Sequence, residues 1–195
     1  MRSFEGLTLR TDRLLLRPSH ESDAPALFAI FSDVRVARYL SRSPWPDIEA
    51  ARRRIARDVK ALPEGDYLCL MLERAQDRRV IGECSLFGFV EQCCRAELGY
   101  ALAAEAWGHG FMHEALTALL GFGFAELGLN RVEADIDPRN EGSARTLERL
   151  GFVKEGHLRE RWIVAGEVSD SSLYGLLRAD CPAELKQPAT PPGPP

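Results

Sequence analysis

A chain of 195 residues with 45% hydrophobic and 28% charged residues has the size and composition of one globular domain. Lys and Arg number 25 against 29 Asp and Glu, a formal net charge of -4, which is the wrong sign for a protein that coats nucleic acid. Five cysteines without C-x-x-C spacing argue against a disulfide scaffold or zinc knuckle and fit a reducing cytosol. No window approaches the roughly 18 apolar residues of a membrane span, and Met1-Arg2-Ser3-Phe4-Glu5 lacks the apolar core of a signal peptide, so a cytoplasmic protein is expected.

Residues 7–17 alternate around Leu14, Leu15 and Leu16 and stop at Pro18, predicting a first strand. Ser19-His20-Glu21-Ser22-Asp23 supplies helix-start chemistry ahead of Ala26, Leu27, Ile30 and Phe31, which share a helical face. Asp47 is the expected N-cap of a second amphipathic helix, carrying Ile48, Ile55 and Val59 and reaching Leu62 before Pro63. On it, Arg52, Arg53, Arg54 and Arg57 read as a solvated face with i,i+4 pairs rather than as a basic patch. Extended segments at 67–73, 80–90 and 95–103 are joined by Arg74-Ala75-Gln76-Asp77 and Glu91-Gln92-Cys93-Cys94, which predicts an antiparallel meander. A helix over 108–127, ended by Gly128, is apolar around so much of its circumference that it must be buried on several sides. A strand at 131–137, a helix at 140–150 and strands from Phe152 complete the order βααβββαβαββ, an α+β pattern with a mixed, mostly antiparallel sheet and helices on both faces. Six of the 12 prolines fall between Pro182 and Pro195, so one domain over 1–178 and a disordered or polyproline tail over 179–195 are expected.

The most informative stretch is Glu105-Ala106-Trp107-Gly108-His109-Gly110-Phe111-Met112 at a strand-to-helix junction. Glycine there admits positive φ and close approach of a ligand, and the first helical turn offers unpaired N–H groups at the positive end of the dipole. Such a site suits phosphate or pyrophosphate. A P-loop is excluded because no lysine stands near. A dinucleotide fingerprint lacks its third glycine, His113 holding that position, although Glu133 and Asp135 follow at a suitable distance. A nucleotide-cofactor enzyme using NAD(P) therefore stays open as an alternative. His109 and His113 have H-x-x-x-H-E spacing and no third ligand nearby, so no metal is expected.

The stretches Ala96-Glu97-Leu98-Gly99-Tyr100-Ala101-Leu102 and Trp107-Gly108-His109-Gly110-Phe111-Met112-His113-Glu114-Ala115 closely resemble the GCN5-related N-acetyltransferase (GNAT) family. The likeness continues through Asn130-Arg131-Val132-Glu133-Ala134, Asp137-Pro138-Arg139-Asn140-Glu141-Gly142-Ser143 and Leu150-Gly151-Phe152-Val153-Lys154-Glu155-Gly156. With Leu9-Arg10-Thr11-Asp12-Arg13-Leu14, it is greatest to the branch of ribosomal-protein N-terminal acetyltransferases, over nearly all of 7–178. The resemblance implies a sheet of about seven strands with splayed central strands, and acetyl-CoA as donor to an amine. The donor's pantetheine arm would lie along the strand of Tyr100, Ala101 and Leu102, and its pyrophosphate on Trp107, Gly108, His109, Gly110, Phe111 and Met112. Asn140 and Ser143 would complete the cofactor site.

Two positions depart from the family pattern: Glu105 stands where Gln or Arg is usual, and Leu147 where many members carry a tyrosine acid. The resemblance shifts that role to the Ser143 hydroxyl, as hydrogen-bond donor to the departing thiolate. Attack also needs a neutral amine, hence a proton acceptor; Glu97 is the leading candidate and Glu160 the second. Tyr39, Trp45 and Trp162 are candidates for the acceptor pocket, and an acetylated cysteine at Cys84 or Cys94 is a less direct route than transfer in a ternary complex. The acceptor, a small-molecule amine or a protein N-terminus, stays open, as does monomer or homodimer; no nucleic-acid or membrane partner is expected. The two departures also leave open a domain that only binds acetyl-CoA, as a module or sensor.

Overall fold

The computed structural model describes residues 3–182, so most of the expected proline-rich tail, from 183 on, lies outside the described residues. The expected first strand is two: β1 (Leu9–Arg10) and β2 (Leu14–Arg17) fold back on each other with Leu9 opposite Leu16. The break has a local cause, since the Thr11 Oγ1 accepts a hydrogen bond from Leu14 N at 3.0 Å and Thr11 N donates to Leu14 O, closing a turn. Helix α1 (Ala24–Ser32) is followed at once by the short α2 (Val34–Ala37), capped by Asp33, whose carboxylate accepts from Arg35 N. Helix α3 (Ile48–Ala61) starts where expected, with Asp47 Oδ1 accepting from Ala50 N at 3.0 Å.

The meander follows as β3 (Leu68–Arg74), β4 (Val80–Val90) and β5 (Arg95–Leu102). Then come α4 (Phe111–Ala125), β6 (Arg131–Ile136), α5 (Glu141–Arg149), β7 (Val153–Val164) and β8 (Glu167–Leu177). Among the described residues these strands form one eight-stranded sheet, one more than expected, in the order β1-β2-β3-β4-β5-β6-β8-β7. Every neighbouring pair is antiparallel except β5 and β6, which α4 joins as a parallel crossover. The meander reading had obscured that β-α-β unit.

Helices cover both faces. Glu83 of β4 meets Arg54 of α3 on one side, while Leu86, of opposite parity on the same strand, meets Gly123 of α4 on the other. Leu116, Leu119 and Leu120 of α4 are fully buried together with Leu68, Leu70 and Leu86 of the sheet; each such side chain contributes about 1.5–3 kcal/mol. Packing continues past Arg178, since Cys181 lies in the core.

A further expectation fails on α3. Arg54 is not on a solvated face: it is 8% exposed, with Nε on Asp58 Oδ2 at 2.6 Å and Nη2 on Glu83 Oε1 at 2.9 Å and Tyr67 OH at 2.8 Å. The helical pattern could show the Asp58 partner at i,i+4 but not the burial, because the second carboxylate comes from β4.

A second charged cluster ties β2 to α1. Arg17 donates to Asp23 Oδ2 at 2.8 Å and to Glu73 Oε2 at 2.6 Å. Burial raises the pKa of Asp23, but the hydrogen bonds from Arg17 and from His20 N outweigh it and hold the carboxyl below its usual 3.8. A group depressed by folding stabilises above its unfolded value and loses that contribution as pH falls through the folded one. Thermal melts from pH 7 downward are therefore expected to show stability falling below about pH 4, and Asp23→Asn is expected to flatten that fall. An unchanged slope in the variant would assign the acid sensitivity to other carboxylates.

Candidate active site

Strands β5 and β6 pair only through Arg95↔Arg131, Ala96↔Val132 and Glu97↔Glu133. Beyond Glu97, β5 stays with β4 as far as Gly82↔Leu102, while β6 stays with β8 as far as Ile136↔Ser172. Each follows the twist of its other neighbour, and a gap opens between them. Ala103 N donates to Ile81 O, so the alternation of the β4–β5 ladder turns the peptide N–H and C=O of Tyr100 into that gap.

At the far end of β5 the chain reaches α4 through Gly108 and Gly110, at φ 79° and 77°. A side chain in that left-handed region costs about 1–2 kcal/mol, and two such residues cannot belong to a right-handed helix, so α4 begins at Phe111 rather than at 108. Among the described residues, no acceptor engages the amides of Gly108 through Met112, while Glu114 N donates to Gly110 O. The turn is pinned from behind by Arg13, whose Nε meets Glu114 Oε2 at 2.6 Å and whose Nη1 donates to His109 O at 2.9 Å. Burial raises the Glu114 pKa, but Thr11 and Arg13 together hold it below the usual value. Trp107 Nε1 closes the preceding corner on Leu102 O at 2.8 Å. Nothing in the sequence had singled out Arg13.

The gap opens into a cavity of about 540 Å³ lined by Glu97, Tyr100, Asn140 and Ser143, with Tyr39 and Trp162 at its walls. Asn140 caps α5 as expected, its Oδ1 accepting from Ser143 N at 3.0 Å. The hydroxyl of Ser143, a residue 8% exposed, lies 2.7 Å from the Tyr100 hydroxyl, a contact across 43 residues of sequence. Burial pushes the Tyr100 phenol up to about 12, more than the bond to Ser143 lowers it. Leu147, where the family's tyrosine would stand, is wholly buried in the core. The Glu97 carboxylate lies against the backbone of Gly88, at the irregularity between Phe87 and Val90; it makes no hydrogen bond or ion pair to any described residue.

Other residues singled out in the sequence lie elsewhere. Glu160 sits in the irregular stretch of β7 between Leu158 and Trp162, at a separate shallow depression with His157 and Arg159. Trp45 packs on Phe31, ring centroids 4.6 Å apart, and helps close the core rather than the cavity. Cys84 is fully buried with its thiol pKa driven up, which disfavours a nucleophilic thiolate, and Cys94 is exposed in the β4–β5 connection. Among the described residues no three His, Cys, Asp or Glu side chains gather as a metal site, and no helix is long and apolar enough to cross a membrane.

Residues 13–153 match the family model of the acetyltransferase (GNAT) domain. The uncharacterized N-acetyltransferase p20 of Bacillus licheniformis is 34% identical over 175 residues, 89% of this chain and 97% of that one. The ribosomal protein uS5-alanine N-acetyltransferase of Escherichia coli (strain K12) is 28% identical over 181 residues, covering 88% and 91%. The fold is also that of the spermidine N-acetyltransferase from Vibrio cholerae solved in complex with CoA and spermine, with a TM-score of 0.77 at 22% identity over 87% of this chain and 98% of that one.

Proposed function

The chain belongs to the GNAT family of acetyltransferases, and from that premise we propose that it moves the acetyl group of acetyl-CoA to a primary amine by direct attack in a ternary complex. The observation that carries this reading is the open strand edge at Tyr100 leading to unengaged amides at Gly108–Met112. An extended arm with amide groups fits the first, and a pyrophosphate the second. The CoA bound in the related Vibrio cholerae structure supports the choice of donor. Tyr100, Ala101 and Leu102 would hold the pantetheine arm, and Trp107, Gly108, His109, Gly110, Phe111 and Met112 the pyrophosphate. Asn140 would serve by fixing the first turn of α5.

Acetyl-CoA supplies an activated acyl thioester when bound. The amine must arrive neutral: at pH 7 about a tenth of an α-amine of pKa near 8 is neutral, but only about one part in 2,500 of an alkylamine of pKa near 10.4. Glu97, unpaired on the cavity wall, takes that proton. The departing sulfur, with a thiol pKa of about 8.5, can leave as a thiolate if a donor stabilises it. The Ser143 hydroxyl is that donor. A phenol is the stronger acid of the two hydroxyls, so Tyr100 donates to Ser143 Oγ and leaves the Ser143 proton free to point at the sulfur. A Tyr100 pKa of about 12 keeps that proton in place across the working pH range.

Calorimetric titration with acetyl-CoA is expected to show saturable binding, and release of free thiol is expected on adding primary amines. No binding at millimolar acetyl-CoA by folded protein would overturn the donor assignment. Binding without transfer to any amine would favour an acetyl-CoA-binding module, the reading that Glu105 and Leu147 suggest.

A further inference from the structure

We infer that the acceptor carries an anionic group, of carboxylate or phosphate chemistry, at a distance from its reacting amine, and that Arg42 holds it. The inference rests on the acetyl-transfer reading above and specifies the acceptor of that same cavity.

Most charges on the cavity wall are paired with each other. Arg139 bridges Asp137 Oδ2 at 2.7 Å and Glu167 Oε1 at 2.6 Å. Arg161 faces Asp135 at 3.8 Å. Three charges are left over, one anionic and two cationic: Glu97, Arg42 and Arg38. Glu97 has no cationic partner among the described residues, and Arg42, in the loop between α2 and α3, has no carboxylate within 4.0 Å. The two do not pair with each other, so a single ligand would have to span them.

Arg42 is the more telling of the pair. Its guanidinium lies 4.4 Å over the ring of Phe31 and 5.3 Å from that of Trp45, half-buried on two aromatic faces. Desolvation, and then the like charge of Arg54, hold its pKa below the usual arginine value; Glu83 and Tyr67 attract it, but Arg54 already holds both. A partly desolvated cation without a counter-ion is unfavourable, and aromatic faces offset that only in part. Arg42 lines the cavity, and a planar fork of donors is suited to a carboxylate or phosphate. Arg38, exposed on the same wall over the Tyr39 ring, adds positive potential. An ammonium held by Glu97 and an anion held by Arg42 would complete both charges. A polyamine would instead set its second cation against Arg42 and Arg38.

The test is kcat/KM for matched acceptors: 4-aminobutyrate and 3-aminopropyl phosphate against butylamine, with spermidine as the cationic control. The amidated tripeptides Ser-Asp-Ala and Ser-Lys-Ala ask whether the anion can come from a peptide rather than a small molecule. Calorimetric affinity of 4-aminobutyrate and butylamine for the protein holding CoA gives a second readout without turnover. An advantage of about 10- to 100-fold for the anion-bearing member of a pair is expected, as for a charge-assisted hydrogen bond. Arg42→Gln is expected to shrink that ratio to about threefold or less, and Arg42→Lys to keep part of it. Equal use of butylamine and 4-aminobutyrate, preference for spermidine, or a ratio unmoved by Arg42→Gln would overturn the inference while leaving acetyl transfer intact. Bound acetyl-CoA with no amine acetylated would overturn both. If Arg42→Gln does not fold, the ratios in the unaltered protein and in Arg42→Lys decide.

Discussion

Ser143→Ala is expected to lower kcat about 100-fold, the loss typical of removing one donor from developing negative charge, while acetyl-CoA affinity stays within about threefold. Backbone groups carry the proposed cofactor contacts, so the serine hydroxyl contributes little to ground-state binding. Tyr100→Phe removes the group that orients that hydroxyl and is expected to cost about 3- to 10-fold, the net value of one hydrogen bond. Because Tyr100 acts through Ser143, the double variant should be no slower than Ser143→Ala alone, and the cycle should show the two coupled. Additive losses would mean that the tyrosine acts independently, for instance by packing. A kcat unchanged in Ser143→Ala would remove the serine from the chemistry altogether.

Arg54→Leu is expected to destabilise the fold by about 3–5 kcal/mol, since it strands the Glu83 carboxylate and leaves that of Asp58 only Arg57, both carboxylates being under a tenth exposed. In a domain of this size that corresponds to about 6–20 °C in Tm. The exposed neighbours give the control. Arg52 pairs with Glu49 at the surface of the same helix, and Arg52→Leu is expected to change Tm by no more than about 2–4 °C. Urea or thermal melts that show equal effects for the two would refute the buried cluster as a stabilising unit.

What the sequence disclosed follows from the range of each interaction. The caps at Asp47 and Asn140 act within three residues, and both were legible. The meander's turns and the buried α4 were legible for the same reason, as periodicity over one segment. Arg54 was misread because its burial depends on Glu83 and Tyr67, 29 and 13 residues away. The Tyr100–Ser143 contact spans the parallel crossover and leaves no local trace, while Tyr100 was identified only as part of a strand edge. Trp45 illustrates the converse: an aromatic side chain near a loop carries no signal that distinguishes a core-closing ring from a pocket wall. Glycine at 108 and 110 marked the turn but misplaced the helix start, because two permissive positions one residue apart say that the backbone turns, not where the helix resumes.

The strand order has a consequence for biosynthesis. From β1 to β6 each new strand emerges beside a partner already made, so pairing can proceed as the chain lengthens. β7 breaks the sequence: its neighbour in the sheet is β8, which inserts between it and β6 and pairs with both, Ile136↔Ser172 on one side and Leu158↔Ser171 on the other. Until the residues up to Leu177 have left the ribosome, β6 has only its three-residue ladder with β5 and β7 has no strand to lie against. The last strand made is thus a keystone, and a nascent chain stalled before it would hold a finished meander and an unfinished second half of the sheet.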